Sequence, residues 1–419
     1  MTAMNSCLLL ANVQGKELSL TAQWKVNAGS NQRHCRTLDL VFKWSPRTYA
    51  TEPDPCISTS TGRNDESGPP HLDGGKPWSE FVIDSLQRTE WQVSPDDGVA
   101  MKFILADREG FCTRSDFLER RMEGYRALVV ARSFLQPRHH INRAAISDDD
   151  RPDASILFSI LSDAVGGLIV SNIDALDEVE VELDNRLSYL WIAPSCPPLT
   201  RIAWVRGRYN IDHSKRIWDS AVALGIAVVI LDNEGHWLQD ARWNHLREDF
   251  IPTNLDPDAG LADRLVDAIR RYEKPIHGIT TSSNKRLVSV AKACETLGLR
   301  TSPAQSFIIA ADKCITREME PSSDVTSLRV QNVQDLRDRL SSNRFPPIPY
   351  PMVVKPCIGW ASECISKVHT ETELLRAVEK ASERHRLSPI RRTDVMIESY
   401  VEGPEIDANI VLLAGLRRQ

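Results

Sequence analysis

A lysine that ends an apolar run, followed by a loop of small residues, could bind an anion in this 419-residue chain. Lys355 directly follows Met352–Val354, which has the composition of a buried strand. The residue before a proline favours extended backbone, so we expect Lys355 to end that strand. Since lysine is rarely buried without a partner, the pattern indicates either a charge at a sheet edge or an anion above the strand end.

The loop that follows, Cys357–Cys364, contains Gly359 and Ser362. Small residues let backbone N–H groups approach an anion closely, and the serine adds a hydroxyl donor. These features are typical of a phosphate-binding loop. With its single glycine, the segment also fits a tight turn between two strands.

Two other segments place charged residues where they could join such a site. Lys313 lies in Gln305–Glu318, which we predict to be one helix, and a lysine exposed to solvent is its alternative interpretation. A strand predicted at Asp394–Ile397 leads into the turn Glu402–Glu405, where Glu405 also fits a solvent-exposed turn carboxylate. Each segment is a weak signal alone, and their order along the chain is more specific.

In that order the segments resemble the ATP-grasp superfamily. The resemblance covers residues from about 200 to 419 and rests on the stretches LGLRTSPAQSFIIAADKCITR, VVKPCIGWASECISKV and MIESYVEGPEIDANIVL. Their spacing is similar to that of D-alanine–D-alanine ligase and, more closely, to carnosine-synthase-like ligases of fungi. The resemblance implies that ATP binds between two subdomains.

In that arrangement Lys313 and Lys355 would contact the phosphates of ATP, as ammonium groups commonly do. The loop with Gly359 and Ser362 would fold over the phosphates and exclude water. With this assignment, the anion expected above the strand end at Lys355 is a triphosphate.

The resemblance also implies an adenine and ribose site in the segment that begins with the last predicted strand. The carbonyl of Glu398 and the N–H of Val401 would contact the adenine edge. Glu405 would accept hydrogen bonds from the ribose hydroxyls. Backbone groups can form hydrogen bonds with adenine whatever side chains the residues carry. The sequence therefore gives little signal for this part of the site.

The chemistry implied is formation of an acyl phosphate from a carboxylate and ATP, followed by attack of an amine. This chemistry implies small-molecule carboxylate and amine substrates, with ATP and Mg²⁺ as cofactors. Carboxylase or carbamoyl-phosphate chemistry on the same scaffold is a more distant alternative.

The family's Mg²⁺ ligands lie several dozen residues beyond the hinge, whereas Glu405 is 419 − 405 = 14 residues from Gln419. We therefore expect an incomplete second subdomain and no metal ligands in this chain. A Mg²⁺–phosphate complex without hard oxygen ligands is poorly held. The expectation is an impaired ligase or, alternatively, an inactive nucleotide-binding remnant.

The elements before this region indicate a parallel sheet. Arg201–Val205 and Ile226–Leu231 are predicted strands joined by a helix at Ser214–Leu224, which is a β-α-β unit. Ligands of such layers bind at the carboxyl ends of the strands, so Arg206 is a candidate substrate contact. Helices at Leu261–Tyr272 and Lys285–Leu297 and a strand at Ile276–Thr280 follow. Dinucleotide and P-loop glycine motifs are absent from the sequence.

The N-terminal part gives no functional motif. We predict strands at Leu38–Trp44, Met101–Ala106 and Ala127–Ala131, a helix at Ser155–Val165, a hairpin at Val179–Ala193, and a loop or disordered linker at 51–75. The predicted fold is therefore α/β: an N-terminal mixed α/β domain over 1–195, a parallel α/β pre-ATP-grasp layer over 200–300, and a partial α+β ATP-grasp domain over 301–419.

Composition excludes several function classes. The net charge of −6 gives no basic surface for nucleic acid, and no apolar run reaches the roughly 18 residues of a membrane span. The nine cysteines form no C-x-x-C pair, which favours a reducing, cytoplasmic location. Cys357 could be reactive, although a lone cysteine in such a loop is more often a small space-filler. The oligomeric state stays open.

Overall fold

The structure is a computed structural model. It describes residues 4–13, 16–29, 34–44, 71–72, 74–87, 98–145, 153–319, 326–342, 345, 349–359, 362–386, 392–404 and 406. The chain divides into two compact units: Met1–Ile202 with Gly207–Ile230 and His236–Phe250, and Ala203–Arg206 with Leu231–Gly235 and Ile251–Gln419.

The strands are β1 (Asn5–Val13), β2 (Lys16–Asn27), β3 (Cys35–Trp44), β4 (His71–Leu72), β5 (Val99–Ala106), β6 (Gly110–Cys112), β7 (Leu128–Ser133), β8 (His140–Ile141), β9 (Ala164–Val170), β10 (Ile192–Ala193), β11 (Arg201–Val205), β12 (Ala227–Asp232), β13 (Asp249–Pro252), β14 (Gly278–Thr280), β15 (Ser327–Val330), β16 (Met352–Pro356), β17 (Ser366–Val368) and β18 (Val395–Ser399). The helices are α1 (Pro77–Leu86), α2 (Phe117–Met122), α3 (Ala154–Ser162), α4 (Ala175–Arg186), α5 (Lys215–Ala223), α6 (Leu261–Arg270), α7 (Leu287–Leu297), α8 (Ala304–Ala311), α9 (Lys313–Met319), α10 (Val333–Ser341) and α11 (Glu371–Arg386). The α/β fold class is confirmed.

The N-terminal part is built on a seven-stranded sheet in the order β4-β1-β2-β3-β5-β9-β7. Every residue of the central strand β5 is buried. Its alternate side chains enter two different cores, because successive residues of a strand point to opposite faces. Met101 and Phe103 belong to one cluster, whereas Ile104 and Ala106 belong to the other. Helices therefore cover both faces of this sheet.

Two predictions in this part are wrong. The helix predicted at Ser155–Val165 ends at Ser162, and β9 begins at Ala164. The hairpin predicted at Val179–Ala193 is instead α4 followed by the short β10. Val179 and Leu183 are both buried four residues apart, which is helical spacing. The alternation of apolar and acidic residues that suggested a strand arises because Val181 lies on the exposed face.

Besides a small three-stranded sheet in the order β10-β6-β8, the chain forms a four-stranded sheet in the order β13-β12-β11-β14. Backbone hydrogen bonds join Ala227 N–H to Thr200 O and Arg206 N–H to Leu231 O. Partner numbers rise together, so β11 and β12 are parallel, as predicted. The predicted helices of this region are present, and Gly298 ends α7 in the left-handed conformation with φ 67°.

The fourth sheet has the order β15-β18-β16-β17, and its strand pairs are antiparallel. The single helix predicted at Gln305–Glu318 is wrong, since α8 and α9 are separated by Asp312. Asp312 is buried with extended backbone, and its carboxylate accepts the N–H of Cys314 (3.0 Å) and of Ile315 (3.3 Å). It therefore caps a new helix, of which Lys313 is the first residue.

Most of the loop predicted at 51–75 falls outside the described residues. Among the helices that the structure describes, none has the length and apolar character needed to cross a membrane.

A buried ion cluster in the first sheet leads to a stability prediction. The Lys102 side chain is 0% exposed and pairs with Asp39 and with Glu180 (2.7 Å). Lys102→Ala leaves two carboxylates without their cation, and we expect it to cost about 3–5 kcal/mol of unfolding free energy, measured by urea denaturation. Lys215→Ala, which breaks the exposed pair with Asp219, should cost less than about 1 kcal/mol. Equal costs for the two variants would contradict this role of Lys102.

Candidate functional site

Lys355 meets a carboxylate on the neighbouring strand. Its ammonium forms an ion pair with Glu398, with the two side chains 19% and 10% exposed. In the antiparallel register Lys355 lies opposite Met396, and Glu398 lies opposite Val353. Lys355 and Glu398 are therefore diagonal neighbours on one face of the sheet. The charge at the strand end belongs to an ion pair in the sheet interior and is not at a sheet edge.

Two further cations lie close to this pair. Arg317 Nη2 of α9 is 3.4 Å from Glu398 Oε2. The ammonium of Lys313 lies 3.4 Å from the carbonyl oxygens of Pro356 and Gly359, at the start of the predicted loop. The structure therefore places Lys313, Lys355 and Glu398 near one another and adds Arg317.

The electrostatics of this cluster favour an anion. Burial lowers the pKa of Lys313, and the nearby Lys355 charge lowers it further. Among the residues named, Lys355 and Arg317 share the carboxylate of Glu398, whereas Lys313 contacts two neutral carbonyls. An additional negative group between the two lysines would relieve their repulsion, and phosphate oxygens have the required charge and acceptor geometry.

A second ion network fixes the helix that carries Lys313. Arg392 contacts the buried Asp312 at 2.9 Å and also pairs with Asp394. Arg329 pairs with Asp394 as well. Burial alone would raise the pKa of Asp394, but hydrogen bonds from Arg392, Cys357 and Arg329 lower it to about 2. The network connects the cap of α9 to the start of β18.

Sequence reasoning missed this network and Arg317. Asp312 and Arg392 are 80 residues apart, and Arg317 and Glu398 are 81 apart. No local spacing connects partners at that separation. The one available signal was the aspartate directly before Lys313, a residue type that favours helix caps.

The remaining predicted site residues are placed as follows. Ser362 is exposed with φ 54°, and its carbonyl accepts the N–H of Ile365 at 3.3 Å. Val401 follows β18 and is 68% exposed. Glu405 lies outside the described residues. Arg206 follows β11 with φ 65°, next to Arg286.

The cationic cluster fits an anion better than a bare metal ion. Within the described residues, one group of three possible metal ligands lies within 4.8 Å: Asp312, Cys314 and Cys357. Mg²⁺ prefers oxygen ligands, and this group offers two sulfur atoms. Asp312, Asp394 and Glu398 are already paired with cations. The described carboxylates around Lys313 therefore do not form a Mg²⁺ site.

These features define an α/β protein with a cationic cluster beside a loop of small residues. Residues 218–301 match the family model of the ATP-grasp N-terminal domain. The chain is 32% identical over 332 residues to the ATP-grasp enzyme fsqD of Aspergillus fumigatus, an alignment that covers 75% of this chain and 55% of that enzyme. The chain therefore shows the predicted resemblance to the ATP-grasp superfamily. It spans about half the length of this curated relative.

Solved structures give weaker likenesses. An L-amino acid ligase from Bacillus licheniformis is 23% identical with a TM-score of 0.36, over 49% of this chain and 45% of that one. The biotin carboxylase domain of the Hydrogenobacter thermophilus 2-oxoglutarate carboxylase, in complex with MgADP, is 21% identical with a TM-score of 0.39, over 49% and 45%.

The depressed pKa of Asp394 gives a pH prediction. A carboxylate whose pKa is about 2 in the folded state and near 3.8 when unfolded stabilises the fold above pH 4. That contribution is lost as the pH falls from about 4 to about 2. We expect Asp394→Asn to cost about 1–2 kcal/mol at pH 7, after discounting for solvent screening. The difference from wild type should shrink towards pH 2 in urea unfolding.

Arg329→Gln provides the internal control for this prediction. It removes one of the cations that hold the pKa of Asp394 low. Its cost should fall when Asp394→Asn is already present, because the two changes break the same pair. A cost of Asp394→Asn that stays constant between pH 7 and pH 2 would contradict the assignment.

Proposed function

We propose that this chain binds ATP in an ATP-grasp ligase that converts a small-molecule carboxylate to an acyl phosphate for attack by an amine. The observation that carries the proposal is the cluster of Lys313, Lys355 and Arg317 beside the loop that starts at Cys357. The match to the ATP-grasp N-terminal domain supports the class of enzyme. The relative's name supports ATP-grasp chemistry without naming a substrate.

The phosphate contacts follow from the ion pairs of the structure. Lys355 would exchange Glu398 for a phosphate oxygen, since both partners offer negative oxygen atoms. Lys313 would leave the carbonyls of Pro356 and Gly359, which are neutral and lie at 3.4 Å. A charged phosphate is the stronger acceptor, so the exchange is favourable for Lys313.

The nucleoside would lie along the segment after β18. The exposed Val401 leaves its N–H accessible for the adenine edge, and we keep the predicted roles of the Glu398 carbonyl and of Glu405 at the ribose. The loop with Gly359 and Ser362 would cover the phosphates, and Arg206 would contact the substrate. Catalysis by this chain's own residues is then positioning and neutralisation of charge on the transferred phosphoryl group.

Mg²⁺ would accompany ATP and would neutralise charge on its phosphates. The described residues offer it no ligand set, so we assign it none and keep it as a cofactor of the proposed reaction. The absence of C-x-x-C pairs among nine cysteines supports a reducing, cytoplasmic setting.

Removing either lysine should weaken ATP binding. A hydrogen bond to a charged group is worth about 1.5–3 kcal/mol, so Lys355→Ala and Lys313→Ala should each raise the Kd for Mg²⁺–ATP by roughly 10- to 100-fold. Isothermal titration calorimetry measures this directly. Lys380→Ala, an exposed lysine on α11, should leave the Kd unchanged. Equal affinities for wild type and all three variants would rule out the proposed phosphate site.

Neutralising Glu398 should have the opposite effect. Glu398→Gln removes the carboxylate that competes with phosphate for Lys355 and retains the backbone carbonyl proposed to contact adenine. We expect the Kd to fall about two- to fivefold, the equivalent of an ion pair worth up to about 1 kcal/mol. Glu383→Gln, on the exposed surface of α11, is the matched control and should change nothing. A Kd raised as much as in Lys355→Ala would show that the Glu398 side chain maintains the site.

A further inference from the structure

Two thiols meet next to the cationic cluster. Cys314 is the second residue of α9, and Cys357 directly follows β16. Their Sγ atoms are 3.1 Å apart, and the two side chains form a buried cluster with Met396. Cys314 is 4% exposed and Cys357 is 0% exposed. The residues are 43 positions apart in the sequence, so the fold and not a local motif creates the pair.

The spacing of the sulfur atoms fits a covalent pair better than a metal site. Two thiolates on one tetrahedral zinc ion, with Zn–S of about 2.3 Å, lie about 3.8 Å apart. The third possible ligand, Asp312, already accepts two N–H groups at the start of α9 and pairs with Arg392 at 2.9 Å. A divalent cation would therefore have to displace an arginine and a helix cap.

A backbone hydrogen bond already holds the segments that carry the two cysteines next to each other. The N–H of Lys313, the residue before Cys314, donates to the carbonyl of Cys357 at 2.9 Å. Closing 3.1 Å to a disulfide bond of about 2.05 Å requires a sulfur displacement of about 1 Å, which side-chain rotation can supply.

We propose that Cys314 and Cys357 are the site of a reversible intramolecular disulfide, formed by exchange with a small-molecule disulfide such as oxidised glutathione. The bond ties the first turn of α9, which carries Lys313, to the first residue of the predicted phosphate loop. Its formation depends only on the thiol pair and therefore does not rest on the proposed function.

The order of the exchange follows from the hydrogen bond between the thiols. The hydrogen bond between the two thiols lowers the pKa of Cys314, whereas that hydrogen bond, burial and the nearby Asp394 raise the pKa of Cys357. The thiolate of Cys314 attacks oxidised glutathione and releases one glutathione thiolate. Cys357 then loses its proton, attacks the mixed disulfide at Cys314 and releases the second glutathione. Two protein thiols are oxidised, and one glutathione disulfide is reduced to two thiols.

The experiment is incubation of the full chain with oxidised glutathione, alkylation of the remaining thiols, and non-reducing peptide mapping by mass spectrometry. We expect one linked peptide pair containing Cys314 and Cys357, two hydrogen atoms lighter than the reduced peptides. Dithiothreitol should restore both free thiols. Cys314→Ser and Cys357→Ser should each abolish the linked pair. Cys294→Ser, which removes a buried thiol on α7, should leave it intact.

A second measurement compares the stability of the oxidised and the reduced wild type. A cross-link between residues 43 positions apart restricts the unfolded chain, so the oxidised wild type should unfold at a higher urea concentration than the reduced protein. The difference should vanish in Cys314→Ser. Free thiols at both positions after oxidation, or a stable glutathione adduct at Cys314, would overturn the proposal. Stoichiometric Zn²⁺ binding that protects both thiols would overturn it in favour of a metal site.

Discussion

The C-terminal part of the fold depends on one buried carboxylate. Asp312 ends α8, caps α9 and pairs with Arg392 directly before β18. Because a buried charge without partners is costly, this single side chain fixes where α9 starts relative to the sheet. The position of that start decides where the Lys313 ammonium and the Cys314 thiol lie. Both reach the end of β16, where Lys355 and Cys357 meet them.

The cationic cluster is held in a paired state by the chain itself. Glu398 accepts Lys355 and Arg317, and neutral carbonyls accept Lys313. Such pairing keeps the cations in place while the site has no ligand. An incoming anion must therefore replace these partners in order to bind the cations. Affinity for a phosphate therefore reflects the difference between two sets of partners and not the sum of the new contacts.

The sequence predicts those features of the structure that depend on residues adjacent in the chain. The lysine before Pro356 extends a strand because proline restricts its neighbour, and Gly298 ends α7 because it tolerates a left-handed conformation. The break at Asp312 was missed because Ala310, Ala311 and Lys313 beside it are good helix formers, and the ion pair that stabilises the break comes from Arg392, 80 residues away. The error at α4 has the same origin, since the sheet that buries Val179 and Leu183 is built from distant strands.

Two strand lysines with carboxylate partners show how burial separates a structural charge from a functional one. Lys102 is fully buried between Asp39 and Glu180, so replacing either partner by a ligand would require opening the core. Lys355 has the same kind of partner, yet its side chain is 19% exposed and lies beside a loop with two backbone positions at positive φ, Ser362 and Cys364. Its ion pair can be exchanged without unfolding the sheet. This difference in access, more than the presence of a lysine, is the physical reason to place a phosphate at Lys355 and none at Lys102.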